Sequence, residues 1–171
     1  MSRSPDVRIR LATERDAQSI ASLLYESFVE YEALYTPEGF AATAITSEQI
    51  VDRMREGPVW VAVHDDAIVG TASVAAKGES LYARGMAVVP TARGQRIGEL
   101  LLRHIEEFAG DEGFPRLFLS TTPFLDRAIR LYESFGFRRT DEAPHELFGT
   151  PLFNMEKVVG HLEEVARASR P

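Results

Sequence analysis

With 171 residues, 44% of them hydrophobic, the chain can bury one core and is short for two. It has no cysteine, which excludes disulfides, thiolate zinc sites and a cysteine nucleophile together. A net charge of −7 argues against a nucleic-acid binder and is compatible with a cationic acceptor. No apolar run approaches the roughly 20 residues of a membrane span, and the first six residues lead into no signal-type apolar stretch, so one cytoplasmic domain is expected.

Val7 to Leu11 alternates apolar and basic residues and reads as a short strand. Thr13 and Asp16 have capping-box spacing, and Ala17, Ile20, Leu24 and Phe28 then recur at helical intervals until Pro37-Glu-Gly39 breaks the pattern. A second helix starts at the Thr46–Gln49 cap and stops at Gly57-Pro58. Val59–Val63 and Ala67–Ala76 form a hairpin about His64-Asp65-Asp66. After a turn at Lys77-Gly78-Glu79, the strand from Leu81 to Val89 is interrupted by Gly85, as at a bulge. A third helix carries Ile97, Leu100, Leu101, Ile105 and Phe108 on one face and ends at Gly110–Gly113. Leu117–Thr121 is a strand, and Thr122 with Pro123 is positioned to start a helix bearing Ala128, Ile129, Leu131, Tyr132 and Phe135. Phe137–Thr140 and Leu152–Val158 are strands around an acidic loop, and residues 160–171 read as a short terminal helix or tail.

The junction between Met86 and Leu102 is the most informative stretch. A buried strand runs through Pro90-Thr-Ala into a loop containing Arg93, Gly94, Gln95 and Arg96, and a helix opens at once with Ile97, Gly98 and Glu99. Unpaired N–H groups at a helix N-terminus, with two arginines beside them, favour a phosphate-bearing ligand; the glycines let backbone approach it. The alternative for this stretch alone is a tight turn with an exposed arginine pair. No Gly-Lys-Ser/Thr follows, so a nucleotide-triphosphate loop is disfavoured.

The segment Val88-x-Pro90-x-x-Arg93-Gly94-x-x-Ile97-Gly98 resembles the pyrophosphate loop of the GNAT superfamily of acyl-CoA N-acyltransferases. Arg96 stands where the first of that loop's paired glycines is usual, and either reduces loop freedom or adds a phosphate-facing cation. Downstream, Asp126-x-Ala128-x-x-Leu131-Tyr132-x-x-x-Gly136-Phe137 is similar to the family's second motif, with Leu125 where asparagine is frequent. Both motifs stand in the family's order, and the resemblance covers residues 7 to 158.

The resemblance implies a single α+β, three-layer domain spanning 1–171: a mixed, mostly antiparallel sheet of about six to seven strands, splayed near its middle, with helices on both faces. It implies acetyl-CoA as acyl donor, its pantetheine arm against Met86, Ala87 and Val88, its diphosphate against residues 93–99, and further contacts to Leu125 and Tyr132. Tyr132 is the implied proton donor. Its free pKa of about 10 lies above a thiol's roughly 8.5, so complete transfer is uphill by about 2 kcal/mol without help. Tyr82 stands where relatives often carry a glutamate base; Glu79 is nearby in the turn, Glu30, Glu32 and His145 are other candidates for the base, and a water chain is an equal alternative. The implied acceptor pocket draws on Glu30, Tyr31, Tyr35 and His145, a mixture suited to an amine on an apolar or aromatic body. His64, His104 and His161 show no metal-ligand spacing, so no metal site is expected. The implied activity is acetyl transfer to a primary amine of a small molecule or peptide, with no nucleic-acid or membrane partner and a homodimer by family habit. The competing reading is a CoA-binding sensor or interaction module without turnover.

Overall fold

The alternating and β-branched runs become strands in the computed structural model, which describes residues 6–159. The expected terminal helix or tail at 160–171 lies outside the described residues. The strands are β1 (Val7–Leu11), β2 (Val59–His64), β3 (Ala67–Lys77), β4 (Ser80–Val88), β5 (Arg116–Thr121), β6 (Arg138–Arg139), β7 (His145–Leu147) and β8 (Thr150–Val158). The helices are α1 (Ala17–Phe28), α2 (Pro37–Thr43), α3 (Ser47–Glu56), α4 (Ile97–Asp111) and α5 (Asp126–Ser134). None of these helices is long and apolar enough to cross a membrane.

The sheet runs β1-β2-β3-β4-β5-β8-β6, with β7 paired to β8 off this path. Every described pairing is antiparallel except β4 with β5. β7 adds an eighth strand to the seven on this path. Phe148 and Gly149, both at positive φ, fold part of the acidic loop back as a β7–β8 hairpin. The last-but-one expected strand, Phe137–Thr140, contracts to the two residues of β6.

Strand alternation sorts side chains into two layers. Val59, Val61 and Val63 of β2 pack with Ile20, Leu24 and Ile50 under α1 and α3. Trp60 and Ala62 turn to the other face, against Leu101, Leu102 and Ile105 of α4 and Tyr132 of α5. Ile105 is completely buried; sealing such a side chain contributes about 1.5–3 kcal/mol.

The central break follows from Gly85. Its φ is +62°, a left-handed conformation that glycine adopts without a Cβ penalty. The β3–β4 register shifts by one residue across this position, from Ser73 opposite Arg84 to Thr71 opposite Ala87. Facing therefore inverts: Leu81 and Ala83 pack toward α4 before the bulge, whereas Ala87 packs toward α1 after it. On its other side, β4 pairs with β5 only from Ser80–Arg116 to Tyr82–Phe118. Beyond that point β5 stays with β8 as far as Thr121, while β4 follows β3. The edge of β4 from Ala83 to Val88 is thus left without a ladder partner on the β5 side.

Two expectations are corrected. Pro37-Glu-Gly39 opens α2 instead of ending structure: Thr36 accepts from Gly39 N–H at 3.0 Å, and Pro37 occupies the first turn, where its missing N–H costs nothing. Nor does Thr122 cap a helix at Pro123. Leu125 N–H donates to the Thr122 carbonyl at 3.2 Å, closing a turn, and α5 begins only at Asp126.

Helix α2 is fastened to the β7–β8 hairpin through Thr36. Its N–H donates to Thr150 Oγ1 at 3.0 Å and its hydroxyl to the Phe148 carbonyl at 2.7 Å. Gly39 permits this approach, because an added Cβ would overlap Thr150 Oγ1 and come within 3.0 Å of the Leu147 carbonyl. Gly39→Ala is expected to lower stability by about 2 kcal/mol through overpacking, a fall in Tm of roughly 4–8 °C. An unchanged thermal unfolding midpoint would contradict this account of α2.

Candidate active site

A cavity of about 680 Å³ occupies the splay, with Met86, Ala87 and Val88 on one wall and Leu119, Ser120 and Thr121 on the other. Its size falls in the range of small-molecule and cofactor sites. At one end lies the start of α4. Pro90–Ala92 form a 3-10 turn, Gly94 has φ +85°, and Arg96 precedes the helix at φ +61°. The first intrahelical bond runs from Leu100 N–H to the Arg96 carbonyl at 3.1 Å, and no side chain caps the end. The N–H groups of Ile97, Gly98 and Glu99 therefore point out of the helix without internal partners, at the positive end of a 15-residue dipole. Glu99, the nearest carboxylate, is held at 3.1 Å by Arg103 one turn on. A Cβ at Gly94 would meet nothing within 4 Å, so the loop is open to a ligand. These features suit a diphosphate.

Of the residues expected to contact the coenzyme, Met86, Ala87, Val88, Arg93, Gly94, Arg96, Ile97, Gly98, Glu99, Leu125 and Tyr132 line this one cavity. Gln95 is exposed and does not line it. Arg93 is tied to the Glu30 carboxylate across 63 positions of sequence and donates to the Ser27 carbonyl at 3.4 Å. That contact accounts for Glu30, which pairs with the loop arginine and does not line the cavity. Among the described residues, Arg96 and Arg127 take part in no ion pair.

Arg96 holds a conformation that costs a non-glycine residue about 1 kcal/mol. Replacing it by glycine relieves that strain and removes a cation. Arg96→Gly is expected to weaken acetyl-CoA binding about fivefold, roughly 1 kcal/mol, without lowering Tm. Calorimetric titration showing unchanged affinity would mean that Arg96 does not serve the phosphates.

On the α5 wall of the same cavity, Tyr132 is only 8% exposed. Burial, and secondarily the neighbouring Tyr35, push its phenol well above the ordinary tyrosine pKa. It is a neutral hydroxyl at every physiological pH. Tyr35 is also raised by burial, partly offset by the hydroxyls of Thr122 and Thr43. Thr122 Oγ1 is itself buried at the cleft without a well-formed hydrogen bond among the described residues. Tyr31 and Tyr35 line the cavity and pack on Phe124, with ring centroids 6.3 and 4.9 Å apart.

Glu79 and His145 do not line the cavity. Glu79 is exposed in the turn joining β3 to β4, at the opposite end of β4 from the bulge, and does not reach the cavity. The turn Gly78-Glu79 lies beyond the last β3–β4 pair, Lys77–Ser80, so its side chain extends into solvent. His145 is exposed at the start of β7, and Leu147 is the hairpin residue that reaches the cavity.

Sequence reasoning missed Arg53 and Arg84. Both line the cavity beside Gly85, and an added Cβ on Gly85 would lie 2.5 Å from Arg53 Nη1. Burial, reinforced by Arg84, lowers the Arg53 pKa to about 10, which still leaves it charged at neutral pH. The available signal was position: Arg53 follows buried Ile50 by three residues and so falls on the inward stripe of α3.

A cleft between parted strands, fed by an uncapped helix N-terminus, is the arrangement that the resemblance to acyl-CoA N-acyltransferases implies. Residues 18–137 match the acetyltransferase (GNAT) family, and the chain belongs to that family. It is 27% identical over 141 residues to the uncharacterized N-acetyltransferase YjgM of Escherichia coli, covering 79% of this chain and 84% of that protein. It is 36% identical over 90 residues to the probable N-acetyltransferase family 8 member 5 of Mus musculus, covering 49% of this chain and 40% of that one. The PaiA N-acetyltransferase of Thermoplasma acidophilum, solved in complex with coenzyme A, shares the fold. Its TM-score is 0.77 at 18% identity, covering 90% of this chain and 99% of that one.

Proposed function

We propose that this protein acetylates a primary amine of a small molecule or peptide, the amine attacking the thioester of acetyl-CoA directly. The observation that carries this reading is one cavity joining an uncapped helix N-terminus, an unpaired strand edge and a buried neutral phenol. Bound acetyl-CoA supplies a thioester carbonyl that accepts the amine's lone pair as its carbon–sulfur bond breaks. The α4 amides and Arg93 and Arg96 hold the diphosphate. The unpaired edge of β4 past Gly85 holds the pantetheine arm and offers N–H donors to the developing oxyanion; donors fixed in place need no reorganisation as charge forms.

Tyr132 handles the proton. Because burial disfavours its phenolate, it acts as a hydrogen-bond donor to the departing sulfur while taking up the proton released from the amine nitrogen, and it ends neutral. Among the described residues no carboxylate lines the cavity at the bulge, so the acceptor ammonium loses its first proton to water. That same lack of a base favours the second reading, a CoA-binding module without turnover. Release of free thiol from acetyl-CoA over a panel of amines decides between them. Acceptor-dependent release supports transfer, whereas measurable CoA binding with no release from any amine supports the module.

A further inference from the structure

We propose that the acceptor carries a carboxylate within two or three bonds of its attacking amine, held by Arg53 and Arg84, so that its class is an α-amino acid or close analogue with an apolar body. This rests on the transferase reading above and names the substrate class of the same cavity.

Position along β4 comes first. The phosphate end lies past Val88, at Arg93–Gly98, and the unpaired edge runs back from Val88 to the bulge at Gly85. A pantetheine arm laid along that edge delivers its thioester near Gly85. Tyr82, Arg84 and Arg53 lie beyond that point, on the far side of the thioester from the diphosphate. They occupy the place of the acceptor.

The charge balance there points to an anion. Arg84 pairs with Glu56, yet its Nε is buried and has no hydrogen-bond partner among the described residues. Arg53 takes part in no ion pair among those residues. Of the two guanidiniums, only that of Arg84 has a carboxylate partner among the described residues, and its buried Nε–H is still unsatisfied, an arrangement that is costly unless a ligand completes it. Guanidinium groups are suited to planar, two-oxygen acceptors.

Distance sets the class. Arg53 Nη1 sits against the Cα of Gly85, the residue beside which the thioester is delivered. A group bound to Arg53 is therefore only a few bonds from the attacked carbon, which matches the separation of amine and carboxylate in an α-amino acid. The same two cations disfavour a neighbouring ammonium and so promote the neutral amine, which the cavity's lack of a base requires. A polyamine would meet repulsion instead. Phe28, Tyr31 and Tyr35 supply an apolar wall for the rest of the molecule.

The test measures thiol release by the full-length protein with phenylalanine and leucine, each compared with its amide and its decarboxylated amine. The acids are expected to exceed both analogues at least tenfold in kcat/KM. Arg53→Gln should erase that preference mainly through KM, Arg53→Lys should retain part of it, and acetyl-CoA affinity should be unchanged in both variants. Equal rates for acid and amide, preference for the amine, or a preference surviving in Arg53→Gln would overturn the proposal while leaving the transferase reading intact. If no thiol is released, calorimetry decides. N-acetylphenylalanine binding the CoA-loaded protein at least tenfold more tightly than N-acetylphenylalaninamide, a difference lost in Arg53→Gln, would support the carboxylate seat although transfer had failed; equal or absent binding would overturn it.

Discussion

Tyr132→Phe is expected to lower kcat by about ten- to a hundredfold while leaving acetyl-CoA affinity and Tm nearly unchanged. The phenol faces the cavity and makes no hydrogen bond among the described residues, so removing its oxygen orphans no buried partner. The ring, packed 6.0 Å from that of Phe137, is retained. What is lost is the group proposed to escort a proton from nitrogen to sulfur. Equal falls in kcat and kcat/KM would mark an interaction made only in the transition state. Because burial raises this phenol's pKa, the wild-type pH profile should show no loss of activity from its ionisation up to about pH 10. Turnover by Tyr132→Phe at the wild-type rate would remove Tyr132 from the mechanism.

Gly85→Val should be the most damaging single change at the cleft. A β-branched residue at φ +62° is an outlier costing about 2 kcal/mol or more, and its Cβ would strike the Arg53 guanidinium. Tm is expected to fall by roughly 4–8 °C. If the bulge is expelled, the one-residue shift between β3 and β4 disappears and Met86 to Val88 exchange faces. The unpaired edge would then no longer present the same groups to the pantetheine arm. Turnover is expected to drop by about a hundredfold or more, since small displacements of reacting groups have effects of that size. CoA itself should still bind, because the α4 amides are untouched. Measuring Tm, CoA affinity and thiol release on one preparation separates these effects, and a variant with normal turnover would show that the bulge does not position the thioester.

The parts of the site that were legible in the sequence are local ones. The strand, Pro90 turn, glycine loop and α4 are contiguous, so spacing alone carries the proposed phosphate seat from Arg93 to Gly98. Gly85 was legible as a bulge because glycine weakens a strand interior, and one placed there marks a backbone that bends or is closely approached. Gly39 misled because it answers a different demand: it lies within a helix and is small for the sake of Thr150, 111 positions away, rather than to permit a turn. The Glu30–Arg93 pair and the Arg53–Gly85 approach are likewise products of folding, in which α1 and α3 are laid over β4. Glu79 was chosen for closeness in sequence to the bulge, but an extended strand carries a residue six positions away to the other end of the sheet.

The measurement that bears most directly on the central claim is a crystal structure of this protein with acetyl-CoA. The account predicts the diphosphate on the backbone N–H groups between Gly94 and Glu99, with the pantetheine arm along Met86–Val88 and the thioester between Gly85 and Tyr132. A coenzyme lodged elsewhere, with the gap between β4 and β5 left to solvent, would contradict it.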